Sequence, residues 1–359
     1  MKNKQPLLNA PEFIARHWRK ISGPRALACA LVVIAAARLR HCDADPITPQ
    51  GDERAVARFA IGADPSRLIL VPVRALDRAL TFVLDTGSTD TVYDTSFRHL
   101  LGLRNSEEDV STNMGIVKTD RYTAPPLTVG TISCSDDNQY VCCHDLAAIH
   151  RASGQQFDGI LGMDVLQHQV VKLDLKQGTL SIHRTGAQKQ GNAIPIMILE
   201  DATVAIEASV GHDPPRRFFI DTAFVGDAAL SVSPEYFDTL VRVGQVRELR
   251  RTKTTDLGGT RYNTRVGRLG VPLIVGGNMR RDLLISDDAG YSLGLRFFEG
   301  CVATFDFPGK TLYIQGLHLV RAQVDQATPT RQHAGNNTSR KARCTGFGAP
   351  RVMQRRRRR

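Results

Sequence analysis

Apolar and polar residues alternate with a period of two along much of the central chain. Residues 171–175 and 304–307 show this alternation, and each is followed by a glycine-containing turn and a short return rich in β-formers. A period of two is typical of a strand with one buried face, so both segments predict β-hairpins. Asp174 and Asp306 occupy polar positions of these strands, which favours solvated or turn-bonding roles over catalytic ones.

Helix signals are few by comparison. Ser233 provides an N-cap residue, Pro234 suits the first helical position and Glu235 places an acid in the first turn, which predicts a helix to about Val241. Residues 94–101 occupy the corresponding place earlier in the chain. The pattern therefore predicts an all-β fold with few short helices.

Four blocks recur in the same order along the chain, and such a repeat indicates an internal duplication. The first pair is an Asp-Thr turn after an apolar run, at Asp85 and again 136 residues later at Asp221. The other three pairs are 112–115 with 255–258, 126–130 with 272–276, and 162–182 with 294–314. The last pair aligns without a gap, so we expect the two halves to share the same fold.

These blocks resemble the retropepsin-like or pepsin-like aspartic peptidases, in particular the two-lobed bacterial forms with both halves in one chain. The resemblance covers residues 65–316 and rests on the Asp-Thr-Gly-Ser loop, on segment 158–162 and on its weaker echo at 292–294. It implies a bilobal fold of two tandem β-barrel-like lobes. In each lobe a strand of two hydrophobic residues and a glycine is expected to cross under the aspartate loop.

The repeat and the resemblance together predict the domain organisation. Residues 65–190 form an N-terminal lobe and residues 200–316 a C-terminal lobe. Residues 1–40 are a signal peptide or leader, residues 41–64 a linker or propeptide, and residues 322–359 a disordered basic tail.

Asp85 and Asp221 are the predicted catalytic residues. Peptide hydrolysis with no metal and no nucleophilic Ser or Cys requires a base that activates water and an acid that protonates the leaving group. Two carboxylates held close together cannot both ionise, so the pair keeps one proton and supplies both functions. Aspartic peptidases are the type case of this arrangement.

Four neighbouring residues are predicted to support the pair. The resemblance implies that Thr86 and Thr222 each hydrogen-bond across to the opposite loop and so hold the aspartates in register. It also implies that Ser88 donates to Asp85 and favours its charged form. Gly87 lets the two turns approach closely, because glycine has no side chain between the backbones.

The second copy departs from the family pattern at two positions. Ala223 stands in place of the glycine, and its methyl group is either absorbed by a shift of the loop or disturbs the coplanarity of the carboxyl groups. Phe224 stands where a hydroxyl or small residue is commoner. Without that hydroxyl, Asp221 is expected to lose a hydrogen bond to its charged form, so the pair is expected to keep its proton to higher pH.

The resemblance also implies a substrate-binding flap midway between each aspartate and its crossing strand. The candidate tips contain Gly115 in the first half and Gly258 with Gly259 in the second, where adjacent glycines allow the φ values of a tight hairpin. The alternative is that both are ordinary surface hairpins.

The net positive charge of the chain is concentrated in its two terminal segments, and the first of these also contains an apolar run. The formal charge is +11, but residues 1–40 carry +7 and residues 321–359 carry +10, so the remaining 280 residues sum to −6. A basic start followed by the apolar run 26–37 favours a cleaved export signal over a spanning anchor, because twelve residues are too short to cross a bilayer. A cytosolic amphipathic leader is the alternative. The arginine-rich end either contacts anionic lipid or nucleic acid or is simply solvated.

Cysteine spacing leaves two arrangements open. Cys134 and Cys142 flank a turn-rich insertion, which suits either a local disulfide or buried free thiols, and Cys143 points to the opposite strand face from Cys142. No Cys-x-x-Cys pair occurs and His144 has no companions at ligand spacing, so no metal or other cofactor is predicted.

The sequence thus predicts an exported, monomeric aspartic endopeptidase that cleaves a peptide or protein substrate and binds no specific nucleic acid. Two alternatives remain. One is a catalytically inactive relative that binds peptides in the same cleft, because its second loop reads Asp-Thr-Ala. The other is an envelope-associated protein that works through its basic tail.

Overall fold

A computed structural model of the chain describes residues 57–112, 115–134, 139–184, 186–288, 290–316 and 320–321. The earlier strands are β1 (Ala57–Ala60), β2 (Leu70–Ala75), β3 (Arg78–Leu84), β4 (Val92–Asp94), β5 (Arg104–Thr112), β6 (Gly115–Thr123), β7 (Leu127–Val129), β8 (Ile132–Ser133), β9 (Tyr140–His144), β10 (Gly159–Leu161), β11 (Val170–Asp174) and β12 (Thr179–His183). The later strands are β13 (Asn192–Pro195), β14 (Met197–Ile198), β15 (Val204–Val210), β16 (Arg216–Ile220), β17 (Leu230–Ser231), β18 (Val246–Asp256), β19 (Gly259–Leu269), β20 (Leu273–Val275), β21 (Asn278–Arg280), β22 (Leu284–Ser286), β23 (Ser292–Leu293), β24 (Val302–Asp306), β25 (Thr311–Gln315) and β26 (Val320–Arg321). The predicted all-β fold is confirmed.

Helices are short, as predicted. They are α1 (Ala147–Ser153), α2 (Met163–Leu166) and α3 (Pro234–Arg242), with 3₁₀ turns at Thr95–Leu100 and Leu295–Phe298. The Ser233 hydroxyl caps α3 by accepting from the Tyr236 N–H at 3.3 Å, and Asp94 caps the first 3₁₀ turn in the same way. Both predicted helical positions are therefore confirmed.

Two large sheets have the same strand order. The first runs β5-β6-β9-β4-β10-β3-β2-β7-β8, and the second runs β18-β19-β22-β17-β23-β16-β15-β20-β21-β26, with β14 beside β15. The first nine strands of the two sheets correspond one to one along the chain. We call residues 65–190 the first half and residues 192–316 the second half.

A third sheet contains strands from both halves, in the order β1-β12-β11-β24-β25-β13. At its centre β11 pairs antiparallel with β24, and Lys172 lies opposite Thr304. These two residues are equivalent positions of the longest repeated block. The equivalent strands of the two copies therefore pair with each other, and this residue pair lies at the centre of the ladder. The predicted hairpins are β11-β12 and β24-β25.

The edge strand β1 lies within the segment predicted as a linker or propeptide. Ala57 and Phe59 are buried, and β1 pairs antiparallel with β12 from Ala57 opposite Ile182 to Ala60 opposite Thr179. Residues 57–60 therefore belong to the third sheet. The predicted leader, the rest of the linker up to residue 56, and the basic tail from residue 322 lie outside the described residues.

The described part of the chain shows the state of four cysteines and the character of its helices. Cys142, Cys143 and Cys301 are buried free thiols, and the buried Cys134 thiol donates to the Ile132 carbonyl at 3.8 Å. The structure thus shows thiols rather than the Cys134–Cys142 disulfide. Among the described residues no helix has the length and apolar character needed to cross a membrane.

Candidate active site

Asp85 and Asp221 follow directly after the equivalent strands β3 and β16. Phe82 and Leu84 point into the core and are fully buried, so the alternation of a strand directs Val83 and Asp85 to the opposite face. The Asp85 N–H donates to the Leu161 carbonyl at 3.1 Å, which ties the end of β3 to β10. In the second half the Asp221 N–H donates to the Leu293 carbonyl of β23 at 3.0 Å.

The strand β10 passes under the first aspartate loop, and β23 passes under the second. Each runs parallel to the strand that carries the aspartate. Glycine is required where each crossing strand ends: a Cβ on Gly162 would lie 2.4 Å from the Asp90 carbonyl oxygen, and one on Gly294 would lie 2.5 Å from the Phe224 carbonyl oxygen. The crossing implied by the family resemblance is present in both halves.

A reciprocal set of hydrogen bonds joins the two loops. The Thr86 N–H donates to the Thr222 hydroxyl oxygen at 3.1 Å, and the Thr222 N–H donates to the Thr86 hydroxyl oxygen at 3.1 Å. The Thr86 hydroxyl donates in turn to the Ile220 carbonyl at 2.7 Å, and the Thr222 hydroxyl donates to the Leu84 carbonyl at 2.8 Å. Both threonines are buried, so these bonds fix the loops relative to one another away from water.

Gly87 permits the close approach of the first loop to the second carboxyl group. A Cβ built on Gly87 would lie 2.7 Å from the Asp221 Cγ atom, closer than real Cβ atoms approach other atoms. Ala223, at the equivalent position of the second loop, packs its methyl group against an apolar cluster of the first half. The structure thus accommodates the alanine that departs from the family pattern.

The two carboxylates accept matching pairs of backbone hydrogen bonds. Asp85 Oδ1 accepts from the Gly87 N–H at 2.7 Å and from the Ser88 N–H at 3.2 Å. Asp221 Oδ1 accepts from the N–H groups of Ala223 at 2.9 Å and Phe224 at 2.8 Å. The turns present these donors whatever side chain follows the aspartate.

The expected role of the Ser88 hydroxyl is wrong. This hydroxyl donates to the Asp90 carbonyl at 2.8 Å and not to Asp85, because the turn directs it along the loop. Phe224 therefore deprives Asp221 of no hydrogen bond that Asp85 possesses. The absence of a hydroxyl at Phe224 therefore gives no reason to expect that the pair keeps its proton to higher pH.

Both carboxyl groups are half-buried at the floor of a cleft. Burial raises the pKa of Asp85 well above its ordinary value, and the neighbouring charge of Asp221 raises it further. Burial also raises the pKa of Asp221, against the lowering effect of its two backbone N–H donors. A pair in this position holds one proton between its members over a wide range of pH.

The cleft has a volume of about 1190 Å³ and is lined by both halves. Asp85, Gly87 and Ser88 lie on its floor together with Asp221, whereas Thr86 and Thr222 lie buried beneath. The hairpins β5-β6 and β18-β19 form its walls farther from the floor.

The predicted flap glycines lie at the tips of these two hairpins. Gly115 begins β6 with φ +128°, and Gly259 begins β19 with φ +125°, so both use the freedom that glycine has at positive φ. Gly258 lies in the turn between β18 and β19, and its φ is not positive. None of the three glycines lines the cleft; their neighbours Thr112 and Leu257 do.

The tip of the second hairpin reaches across to the first half. The Leu257 side chain packs against an apolar cluster that includes Val83 and Ile160, and the Leu257 carbonyl lies 3.2 Å from His144 Nε2. The sequence suggests His144 only as a possible metal ligand and does not predict this contact. No local signal marks it, because the two residues lie 113 positions apart.

Two other predictions concern polar residues away from the cleft floor. Asp174 accepts from the Gln177 N–H at 2.8 Å, and Asp306 accepts from the Gly309 N–H at 3.0 Å, so both aspartates bond to turns as predicted. The described residues contain no group of three or more His, Cys, Asp or Glu side chains placed to hold a metal ion.

Comparison with known proteins agrees with this geometry. Residues 71–165 match the model of a protein family described as aspartyl protease. The matched segment runs from β2 into α2, so it contains Asp85 and its crossing strand and leaves out Asp221. No curated protein matches the chain. The match supports the aspartic peptidase family that the sequence motifs resemble, and protease activity at that general level.

Proposed function

We propose that this protein is an aspartic endopeptidase in which Asp85 and Asp221 hydrolyse peptide bonds by activating a water molecule between them. The observation that carries the proposal is the reciprocal pairing of Thr86 with Thr222. It holds two half-buried carboxyl groups on one cleft floor, each with the same pair of backbone donors.

The chemistry follows from the shared proton. The ionised carboxylate accepts a proton from water, and the resulting nucleophile attacks the carbonyl carbon of the scissile bond. The protonated carboxyl group donates to the carbonyl oxygen as negative charge develops there. As the C–N bond breaks, the proton taken from water passes to the leaving nitrogen, and a hydroxyl of the tetrahedral intermediate returns its proton to the pair. The pair again holds a single proton for the next cycle.

The geometry of Ala223 favours an active enzyme over an inactive peptide-binding relative. The Ala223 N–H still donates to Asp221 at 2.9 Å, and its methyl group has an apolar site. We propose that the protein acts as a monomer, because one chain supplies both aspartates. We also propose that it is exported, a point that rests on the leader sequence; fractionation of cells that express the full chain tests it.

The decisive experiment is cleavage of a mixed peptide library from about pH 3 to pH 8 by the full chain and by Asp85→Asn and Asp221→Asn. Each substitution removes one member of the acid and base pair, so each is expected to lower kcat by at least about a thousandfold. Asp174→Asn, at a turn remote from the cleft floor, is the matched control and is expected to retain activity.

The double variant is expected to be no worse than either single variant, because the two groups act as a unit. Chelators and thiol reagents are expected to leave cleavage unchanged. Retention of most activity by Asp221→Asn would contradict the two-carboxylate mechanism, and inhibition by a chelator would point to a different reaction.

A further inference from the structure

The matching strand order lets equivalent positions of the two halves be compared one by one. In the first half Ile160 lies beside Val83 on one side and Val92 on the other, and Val92 lies beside Cys142. In the second half Ser292 lies beside Phe219 and Ser231, and Ser231 lies beside Ser286. The four positions of each row are therefore equivalent across the cleft.

The first row is apolar throughout. Val83, Val92, Cys142 and Ile160 are all buried, all line the cleft, and belong to one apolar cluster next to Asp85. Leu257 closes this cluster from the opposite hairpin. A substrate side chain that contacts this row meets hydrocarbon and thiol surface, which favours an apolar group.

The second row is polar at three of its four positions. Ser286 and Ser292 line the cleft on the side of Asp221, and Ser231 donates its hydroxyl to the Gly290 carbonyl at 2.9 Å. Asp288 also lines this wall with 2% exposure, and the Arg261 guanidinium lies 3.6 Å from its carboxylate. The second row offers hydroxyl oxygens where the first row offers hydrocarbon groups and the Cys142 thiol.

Ser286 gives a second and independent sign that this wall receives a polar group. Its side chain is buried, with 4% exposure, and its hydroxyl oxygen finds no hydrogen-bond partner among the described residues. A buried hydroxyl without a partner is costly, so such groups usually meet a ligand or water. A ligand side chain that donates or accepts a hydrogen bond satisfies it. The Asp288 carboxylate on the same wall only accepts, which favours a ligand group that donates.

An extended peptide presents both kinds of side chain to such a cleft. Successive residues of an extended chain point in opposite directions, so the two residues that flank the scissile bond face opposite walls. One of them meets the apolar row and the other meets the serine row.

We infer that this enzyme selects peptides with an apolar residue on one side of the scissile bond and a hydrogen-bond-donating polar residue on the other, with Ser286 and Ser292 as specificity-determining residues. The inference rests on the proposed function for the bond that is cleaved. It adds a substrate class to that function, and it makes the two halves of the cleft unequal in their preferences.

The test uses peptides that differ only at the two central positions: Leu-Leu, Leu-Gln, Gln-Leu, Leu-Lys and Lys-Leu. One order of the mixed pair is expected to exceed Leu-Leu in kcat/KM by about tenfold. Ser286→Ala is expected to abolish most of this advantage, measured as the ratio of kcat/KM for the mixed peptide to kcat/KM for Leu-Leu. The ratio of two substrates does not depend on the folded fraction of a variant, so a loss of stability cannot imitate the effect.

Ser209→Ala, on strand β15 and away from the cleft lining, is the matched control and is expected to keep the wild-type ratio. A wild-type preference for Leu-Leu, or an unchanged ratio in Ser286→Ala, would overturn the inference. Calorimetric binding of the same peptides to Asp85→Asn separates the two proposals. Cleavage without the preference refutes the inference alone, whereas preferential binding without cleavage by the wild type refutes the proposed function alone.

Discussion

Gly87 shows how little room the paired carboxyl groups leave around them. Its missing side chain points at Asp221, with 2.7 Å between a built Cβ and the carboxyl carbon. Ala223 occupies the equivalent position of the other loop, yet its methyl group rests on apolar side chains of the first half. The two loops therefore tolerate substitution unequally, although their backbone hydrogen bonds match.

We predict that Gly87→Ala lowers kcat by about a hundredfold, because the added methyl displaces the Asp221 carboxyl group from its partner. Overpacking of this kind also costs about 1–3 kcal/mol of stability. Ala223→Gly is the matched control and is expected to change kcat by less than about threefold, since its methyl group packs against apolar side chains of the first half. Steady-state kinetics and thermal unfolding of both variants provide the measurement. A larger loss in Ala223→Gly than in Gly87→Ala would show that the asymmetry is assigned to the wrong loop.

The raised pKa values of Asp85 and Asp221 predict a cost in stability at neutral pH. The folded protein holds its protons to higher pH than the unfolded chain, whose carboxyl groups titrate near about 3.9. Stability attributable to the pair is therefore present below that value and falls as the pH rises through the raised pKa values.

We predict that Asp85→Asn raises the unfolding temperature at about pH 7 by roughly 2–4 °C, the effect of about 1 kcal/mol in a protein of this size. The gain is expected to vanish below about pH 4, where the carboxyl groups are protonated in both states. Thermal unfolding across this range provides the measurement, with Asp174→Asn as the control. A variant less stable than wild type at pH 7 would contradict the electrostatic argument.

The hairpin β18-β19 is the element that spans the cleft. Its tip places Leu257 against the apolar row of the first half and its carbonyl next to His144. In the hairpin β5-β6, by contrast, Ile116 beside the tip is 70% exposed. The second hairpin thus covers the opposite half of the cleft.

We predict that Leu257→Ala raises KM for apolar peptides about fivefold to thirtyfold, because it removes about 1–2 kcal/mol of apolar contact around the bound side chain. Ile116→Ala, the same type of change at the exposed tip, is expected to leave KM unchanged. Steady-state kinetics on one peptide compares the two. Equal effects of both substitutions would show that the second hairpin has no special part in binding.

The third sheet joins the two halves into one structure through the pairing of β11 with β24. Val170 lies opposite Asp306 and Asp174 lies opposite Val302, with Lys172 and Thr304 at the centre. This ladder and the bonds between Thr86 and Thr222 are two separate connections between the halves. Together they determine where Asp221 lies relative to Asp85.

We predict that Thr304→Pro costs about 3 kcal/mol or more and abolishes activity, because proline removes a ladder hydrogen bond in the middle of a sheet. Ala60→Pro, at the end of the edge strand β1, is the control and is expected to be far milder. Denaturant unfolding and peptide cleavage by the two variants provide the comparison. Full activity in folded Thr304→Pro would show that the loops alone keep the carboxyl groups in register.

The sequence by itself determined the elements and the two aspartates. Alternation predicted the hairpins, capping residues predicted the helix after Ser233, and the corresponding place in the first half predicted the helical turn at residues 94–101. The repeated blocks identified Asp85 with Asp221. These features depend on local backbone geometry and on which face of a strand is buried, so a short stretch of chain specifies them.

Only the tertiary structure decided how residues far apart in the chain meet. The Ser88 hydroxyl turned away from Asp85, Leu257 reached His144 across the cleft, and Ser286 joined Ser292 on one wall. Such contacts depend on the crossing of β10 and β23 under the loops and on sheet register, which bring together residues that no local pattern relates. The family resemblance related segment 158–162 to segment 292–294, but only the folded sheets show that Ile160 and Ser292 face the same cleft.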